Sequence, residues 1–313
     1  METRGVFSCF FAVLKVKISL MARYLKILFF TLIVAVAAFS FYQFGQEKPS
    51  KEWSGISVNI FEKIKLVGKK EVDLAPLKSG LEKELSGYQG EVAIAVTDLK
   101  TGNSISIEGD KIYFPASSIK ALIMGSVLKD VEAGRYSPSS VDKLLSDMMS
   151  RSSNYAANTL MVKTGLKKLS DLPAEIGMTN TVLIHGFSDG DPNVPRQRFG
   201  ANALTANDAN LFWQKLFSGK ILGEEMTKKA LEYSKLPSVK LIYTPEKAAL
   251  YHKPGYIELI DSETYIDTGV VEAERFSYVV SFLSRNNPTH QAGADFGLKA
   301  TKIIYEWFAQ NYQ

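Results

Sequence analysis

The sequence predicts an α+β fold: one antiparallel sheet flanked by terminal helices, with an all-helical lobe inserted between its strands. Two observations indicate this. Strand patterns occur early, between 91 and 108, and again late, between 249 and 283, whereas the stretch from 117 to 219 is mostly helical. Strands near both ends of a chain must pair with each other, and a cleft between two such lobes is a natural catalytic site.

The first 45 residues differ from the rest. The stretch Ile27–Phe44 carries no charge and is just long enough to cross a bilayer as a helix, which needs roughly 17–25 residues. Lys15, Lys17, Arg23 and Lys26 are among the basic residues that precede it. The positive-inside rule therefore predicts a cytoplasmic N-terminus and a membrane anchor that holds the remainder outside the cytoplasm.

Two points about this leader stay open. Ala35-Val36-Ala37 is a tolerable signal-peptide cleavage site, and cleavage there would make the protein secreted rather than anchored. Met21 is a plausible start in place of Met1.

Residues 46–72 are polar and lysine-rich and predict a linker, so that 73–313 form the catalytic domain. Residues 1–45 hold five Lys/Arg and one Glu, which leaves 32 basic and 32 acidic residues in the remainder. A neutral remainder argues against nucleic-acid binding. The only cysteine is Cys9, and the three histidines are scattered, so we expect neither a metal nor another cofactor. We expect a monomer.

The elements of the domain follow from their apolar patterns. Leucines at helical spacing predict a first helix over 74–85. Alternating β-branched residues predict strands over 91–98 and 104–108, joined by a turn at 100–103. The remaining predictions are helices over 117–134, 140–150, 153–164, 205–218 and 296–312, and strands over 249–257, 262–271 and 277–283.

A hydroxyl and an amine lie one helical turn apart in Ser117-Ser118-Ile119-Lys120. Residues i and i+3 share a helix face, and a serine in the first turn points into the positive end of the helix dipole. This arrangement suits a nucleophile whose proton is removed by a neutral amine. Taken alone, the pattern more often marks a helix cap followed by a surface lysine.

Two later segments carry matching chemistry. In Ser152-Ser153-Asn154, a hydroxyl can relay a proton to a leaving nitrogen, and an amide can hold both a lysine and a substrate carbonyl. In Lys253-Pro254-Gly255, a strand lysine supplies positive charge for an anionic substrate, and the glycine allows close approach. Each segment has an alternative: a capping serine with a solvated asparagine for the first, a β-turn for the second.

In this order, the three segments resemble the S-x-x-K, S-D-N and K-T-G motifs of the penicillin-recognising serine enzymes, most closely the class A β-lactamases. Their flanks are similar to that family too: Ala156–Asn158, Thr205–Asp208 and Asp267–Val271. The resemblance covers roughly 74–312. It implies a β-lactamase or D,D-peptidase-like fold that works without a cofactor.

The resemblance also implies a role for each catalytic residue. Ser117 would be the acylated nucleophile and Lys120 its activating base. Ser152 would relay the proton to the leaving nitrogen, while Asn154 would position the substrate and Lys120.

The third motif would bind the substrate. Lys253 would attract its carboxylate, and Gly255 would let its backbone approach. The backbone N–H groups of Ser117 and Tyr256 would form an oxyanion hole, worth about 2.7–4 kcal/mol per donor in the best-measured case.

The sequence departs from the family in three places. Ser153 replaces a mainly structural aspartate, and Pro254 replaces a hydroxyl residue that binds the β-lactam carboxylate, which predicts altered antibiotic recognition. Matching the flanking loop puts Phe187 where class A enzymes have the glutamate that activates the deacylating water. Asp191, followed by a proline, is a candidate substitute base.

Three functions stay open. The first is a class A-like β-lactamase that hydrolyses the β-lactam amide and confers antibiotic resistance. The second is a D,D-peptidase-like penicillin-binding enzyme that acts on D-Ala-D-Ala-type peptides and deacylates slowly. The third is a catalytically silent cell-wall-binding domain, against which the full catalytic set argues, since a binding domain needs no proton-relay lysine.

Overall fold

The computed structural model describes residues 72–184, 186–187, 202–259 and 262–312. Its α-helices are α1 (Ala75–Leu85), α2 (Lys120–Glu132), α3 (Ser139–Ser150), α4 (Asn154–Thr164), α5 (Leu166–Glu175), α6 (Ala206–Phe217), α7 (Glu224–Ser234) and α8 (His290–Asn311). Its strands are β1 (Glu91–Asp98), β2 (Ser104–Ile107), β3 (Ala249–Leu259), β4 (Ser262–Glu272) and β5 (Ser277–Arg285).

The five strands form one antiparallel sheet in the order β2-β1-β5-β4-β3. The early and late strands pair as predicted, with Glu91 of β1 opposite Arg285 of β5. The predicted α+β architecture, with terminal helices and an inserted helical lobe, is therefore confirmed. Strand β3 lies at an edge of the sheet, and this edge faces the helical lobe.

Apolar side chains on the two faces of the sheet form two cores. On one face, α1 and α8 pack through residues such as Leu77, Leu81 and Phe308. On the other face, Phe212 and Trp213 of α6 belong to the core of the helical lobe. Nearly the whole of α2 is buried in the same core. A helix that is apolar all round belongs in a protein interior, which explains why α2 lies at the centre of the lobe.

Several element boundaries differ from the sequence prediction. Helices α5 and α7 were not predicted, and α5 contains Pro173, a residue that disfavours helix interiors. Helix α8 begins at His290, six residues before the predicted start. The added residues include Gly293, where an added Cβ would lie 2.6 Å from a ring carbon of Tyr265. A glycine disfavours a helix in sequence, but this one allows the helix to pack closely on β4.

The predicted leader, its transmembrane segment and residues 46–71 of the linker lie outside the described residues. Within the part of the chain that the structure describes, none of the helices has the length and hydrophobicity needed to cross a membrane.

Candidate active site

Ser117 lies in a short 3-10 helix, Ala116–Ile119, that leads directly into α2. The prediction of a regular α-helix from Ser117 is corrected here, because α2 begins at Lys120. A 3-10 helix has three residues per turn, so Ser117 aligns with Lys120, and Lys120 Nζ lies 3.1 Å from Ser117 Oγ. Ala116 has a left-handed φ of 47°, a strained conformation that tends to occur at functional sites.

The second motif enters helix α4 through an irregular turn. Ser152 has a left-handed φ of 57°, and Ser153 provides the N-cap of α4, its Oγ accepting a hydrogen bond from Ala156 N at 3.1 Å. The capping role therefore falls to Ser153, and the Ser152 side chain is left for the cleft. This is the irregular loop-to-helix geometry that lets Ser152 and Asn154 face the same point.

Lys120 is fully buried, and four oxygens surround its Nζ. Two of them can only accept hydrogen bonds: Ser152 O at 2.6 Å and Asn154 Oδ1 at 2.7 Å. The other two are the hydroxyls of Ser117 at 3.1 Å and Ser152 at 3.2 Å. A neutral amine fits this set, because its two N–H groups can donate to the obligate acceptors while its lone pair accepts from a hydroxyl.

Lys253, on strand β3 of the sheet, reaches the hydroxyl of Ser152. Its side chain is only 1% exposed, and its Nζ lies 3.2 Å from Ser152 Oγ. Burial lowers the pKa of Lys253 to about 8, and the negative charge of Asp267 opposes this shift. The site thus contains two buried lysines that share the Ser152 hydroxyl, and a charged Lys253 attracts an anion.

Gly255 allows β3 to touch the 3-10 helix. A Cβ at this position would lie 2.7 Å from Ser118 N and 2.9 Å from both Ser117 N and Pro115 O. The alternative of a β-turn is excluded, since Gly255 lies within β3. The close approach brings the strand carrying Tyr256 beside the backbone of Ser117, where the oxyanion hole is predicted. The Tyr256 ring is 43% exposed and packs against Tyr265 at a centroid distance of 4.8 Å.

Phe187 closes another side of the site. Its ring centroid lies 4.5 Å from Lys120 Nζ, within the range of a cation–π contact. The amide of Asn158 holds it there, because Asn158 Nδ2 donates to Phe187 O and Asn158 Oδ1 accepts from Phe187 N, both at 2.7 Å. The sequence analysis singled out Phe187 but assigned no role to Asn158. Its position four residues after Asn154, on the same face of α4, is the signal that could have found it.

The structure thus brings together Ser117, Lys120, Ser152, Asn154 and Lys253. Gly255 lies against Ser117, and Tyr256 follows it on the same strand. Asp191, the candidate deacylation base, lies outside the described residues.

Comparisons with solved structures find the same fold. The chain is similar to a β-lactamase from Sphaerobacter thermophilus, with a TM-score of 0.65 and 20% identity over 76% of this chain and 99% of that one. It is similar to a β-lactamase from Chitinophaga pinensis, with a TM-score of 0.67 and 14% identity over 74% and 99%. A variant of PBP-A, solved as an acyl-enzyme complex with penicillin G, matches with a TM-score of 0.65 and 19% identity over 77% and 98%.

No protein with a curated description matches the chain in sequence. A family model does: that of the β-lactamase enzyme family matches residues 76–141 and 138–308, nearly the whole of the predicted catalytic domain. With the fold and the convergence of the three motifs, this shows that the chain belongs to the β-lactamase enzyme family, as a β-lactamase-like serine hydrolase.

Proposed function

We propose that the protein reacts with β-lactams to form an acyl-enzyme on Ser117, and that this acyl-enzyme hydrolyses slowly. The observation that carries the proposal is the environment of Lys120 Nζ, which meets the Ser117 and Ser152 hydroxyls, the Asn154 amide and the Phe187 ring. The first three contacts support acylation. The fourth supports slow hydrolysis.

Acylation begins with proton removal from Ser117. Lys120 in its neutral form takes the hydroxyl proton while Oγ attacks the lactam carbonyl carbon. The carbonyl oxygen becomes an oxyanion, which the backbone N–H groups of Ser117 and Tyr256 would stabilise. A fixed donor pair of this kind stabilises the charge that develops in the transition state more than it stabilises the substrate.

Collapse of the intermediate breaks the C–N bond of the lactam, and the leaving nitrogen needs a proton. Ser152 is suited to deliver it, because its Oγ lies 3.2 Å from Nζ of both Lys120 and Lys253. With N–H groups of Lys120 and Lys253 donating to its lone pairs, the hydroxyl can direct its own proton to the substrate nitrogen and recover one from Lys120. The proton taken from Ser117 thus ends on the lactam nitrogen, Lys120 is neutral again, and no other reactant is consumed.

Hydrolysis of the ester requires a water molecule beside a general base. Phe187 instead presents an apolar ring to Lys120, at the position where the family resemblance expects the glutamate that activates this water. A ring cannot accept a proton, and the two hydrogen bonds between the Asn158 amide and the Phe187 backbone hold the ring in place. We therefore favour the penicillin-binding alternative over rapid β-lactam turnover, with cell-wall peptides ending in D-Ala-D-Ala as the physiological substrate class.

One experiment separates the candidate functions. The protein and its Ser117→Ala variant are incubated with a fluorescent penicillin and, separately, with a chromogenic cephalosporin. A stable label that requires Ser117, with little cephalosporin turnover, is the expected result. Steady turnover would instead support a full β-lactamase. The absence of any label at high penicillin concentration would support the binding-domain alternative and overturn the proposal.

We also propose that the catalytic domain works outside the cytoplasm, tethered by the uncharged stretch at 27–44. Fractionation of cells that produce the full chain tests this. The full-length protein should be found in the membrane fraction and should be accessible to protease added from outside. A protein recovered only from the soluble cytoplasmic fraction would contradict the proposal.

A further inference from the structure

A buried histidine–aspartate pair lies behind the strand that carries Lys253. His252 precedes Lys253 on β3 and faces the other side of the sheet, because strand residues alternate. Its Nδ1 lies 2.8 Å from Asp267 Oδ1 and 3.1 Å from Oδ2. His252 is 2% exposed and Asp267 fully buried. Neither contributes to the chemistry proposed above.

Asp267 also anchors the chain that leads into β3. Its Oδ2 accepts hydrogen bonds from Leu241 N at 2.8 Å and from Ile242 N at 3.3 Å. Burying a carboxylate is costly unless donors surround it, and here two backbone amides and an imidazole do so. One side chain on β4 thus ties together β3 and the segment before it.

The same carboxylate acts on the charge of Lys253. Asp267 lies opposite Pro254 in the strand pairing, and its side chain, bonded to His252, is on the face of the sheet opposite to that of Lys253. Its negative charge raises the pKa of Lys253 that burial lowers. Removing the carboxylate would leave burial unopposed, so the ammonium would lose its proton at lower pH.

Other charged groups lie on the elements packed around Lys253. From α2, Lys120 shares Ser152 Oγ with Lys253. On the same face of β3, the Tyr251 hydroxyl donates to Glu272 and the Tyr251 ring contacts Lys235, which follows α7. Neither Lys120 nor Lys235 supplies negative charge, and Asp267 is the group whose charge offsets the burial of Lys253.

We propose that Asp267, held by His252, is the positioning residue that keeps Lys253 in place and charged for the carboxylate of an anionic substrate. The identity of that substrate rests on the function proposed above, but the effect of Asp267 on Lys253 does not. Neither His252 nor Asp267 needs to touch the substrate.

The test compares the full-length protein with Asp267→Asn, which keeps the shape and removes the charge. Acylation rates are measured with penicillin G and with its methyl ester from about pH 6 to about pH 10. For the acid, the alkaline loss of rate (the alkaline limb of the pH profile) should move to lower pH. For the ester, which has no carboxylate, the rates should change little. In Asp267→Glu, which keeps the negative charge, the alkaline limb should stay at the wild-type pH.

Asp98→Asn is the matched control. Asp98 is another fully buried carboxylate, on β1, whose Oδ1 accepts from Lys100 N at 2.9 Å and whose Oδ2 accepts from Thr101 Oγ1 at 2.8 Å. Its loss should lower the melting temperature without moving the alkaline limb. An alkaline limb and an acid-to-ester ratio that stay the same in Asp267→Asn would overturn the inference.

A second readout does not depend on activity. Titration of Lys253 by lysine side-chain NMR, assigned by loss of its signal in Lys253→Met, should show a lower pKa in Asp267→Asn than in the wild type. If no β-lactam acylates the wild type, the proposed function fails while this measurement still decides the inference. If Asp267→Asn does not fold, His252→Asn should keep the alkaline limb and raise the penicillin concentration for half-maximal acylation. An unchanged concentration would overturn the inference.

Discussion

Phe187 lies over Lys120, with its ring centroid 4.5 Å from Nζ, in the position where the family resemblance expects a carboxylate. An aromatic face favours the charged form of a nearby lysine by about 0.5–2 kcal/mol but accepts no proton. The contact therefore separates the two halves of the reaction. The acylating groups are assembled around Lys120, while the side chain facing them cannot activate water.

Replacement of Phe187 by glutamate is expected to shorten the life of the acyl-enzyme. The carboxylate would lie beside Lys120 and could act as general base, a role worth about 10² to 10⁴ in rate. The rate of fluorescence loss from penicillin-labelled protein measures the effect. Phe187→Gln is the control, because glutamine has the shape of glutamate but cannot act as a base. Equal lifetimes in the two variants would show that residue 187 does not face the hydrolytic water.

Asp191 is the candidate general base for the slow hydrolysis of the acyl-enzyme. Asp191→Asn is expected to prolong the adduct further without changing the rate at which it forms, because a deacylation base acts only after the ester exists. Stopped-flow labelling and a chase with unlabelled penicillin measure the two rates separately. An unchanged lifetime would show that Asp191 is not the base.

Lys120→Ala is expected to abolish labelling, since its amine is the group in contact with Ser117 Oγ. A general base contributes about 10² to 10⁴ in rate, so the acylation rate should fall by at least the lower figure. Lys129→Ala, which removes an exposed lysine of α2 paired with Glu175, should label normally. Rapid labelling of Lys120→Ala would mean that another group activates the serine.

Lys253→Met is expected to stabilise the fold and slow acylation by anionic β-lactams. The pKa of Lys253 in the folded protein, about 8, lies below the ordinary 10.5 because of burial. Keeping the charge buried at pH 7 therefore costs up to about 3 kcal/mol. The unfolded chain binds the extra proton between these two pKa values, so the cost disappears as the pH rises from 8 towards 10.5.

Chemical denaturation at several pH values checks the sign. The gain in unfolding free energy from Lys253→Met should be largest below pH 8 and should shrink above it. A gain that does not vary with pH would show that packing, rather than charge, accounts for it.

Gly255→Ala is expected to lower both stability and labelling. Its Cβ would lie within 2.9 Å of backbone atoms of the 3-10 helix, so β3 or that helix must shift, at a cost of about 1–3 kcal/mol. Gly80→Ala is the matched control. Nothing lies within 4 Å of a Cβ at Gly80 in α1, and the substitution should stabilise the helix by about 0.5–1 kcal/mol. Thermal unfolding of both variants measures the contrast.

The sequence was most informative where pattern and position agree. Alternating residues in 91–98 predicted β1 to the residue, and the order of strand and helix patterns predicted the sheet and the inserted lobe. Helices α5 and α7 were missed because tertiary packing stabilises them despite features such as Pro173. The start of α8 was missed because Gly293, which disfavours a helix in sequence, serves packing against the sheet.

The active site, too, could be predicted only in part from the sequence. Spacing within the predicted helix linked Ser117 to Lys120, although Ser117 lies in a 3-10 helix that packs against Gly255 of β3. The contact between Asn158 and Phe187 joins residues 29 positions apart, and the His252–Asp267 pair joins residues 15 apart. No local pattern marks such pairs, because the fold alone brings them together.

Mass spectrometry of the intact protein after incubation with penicillin G, followed by peptide mapping, tests the central claim most directly. We expect one added penicillin, located on the peptide containing Ser117, which persists on removal of free penicillin and does not form in Ser117→Ala. Addition at another residue, or equal addition to Ser117→Ala, would contradict the assignment of Ser117 as the acylated nucleophile.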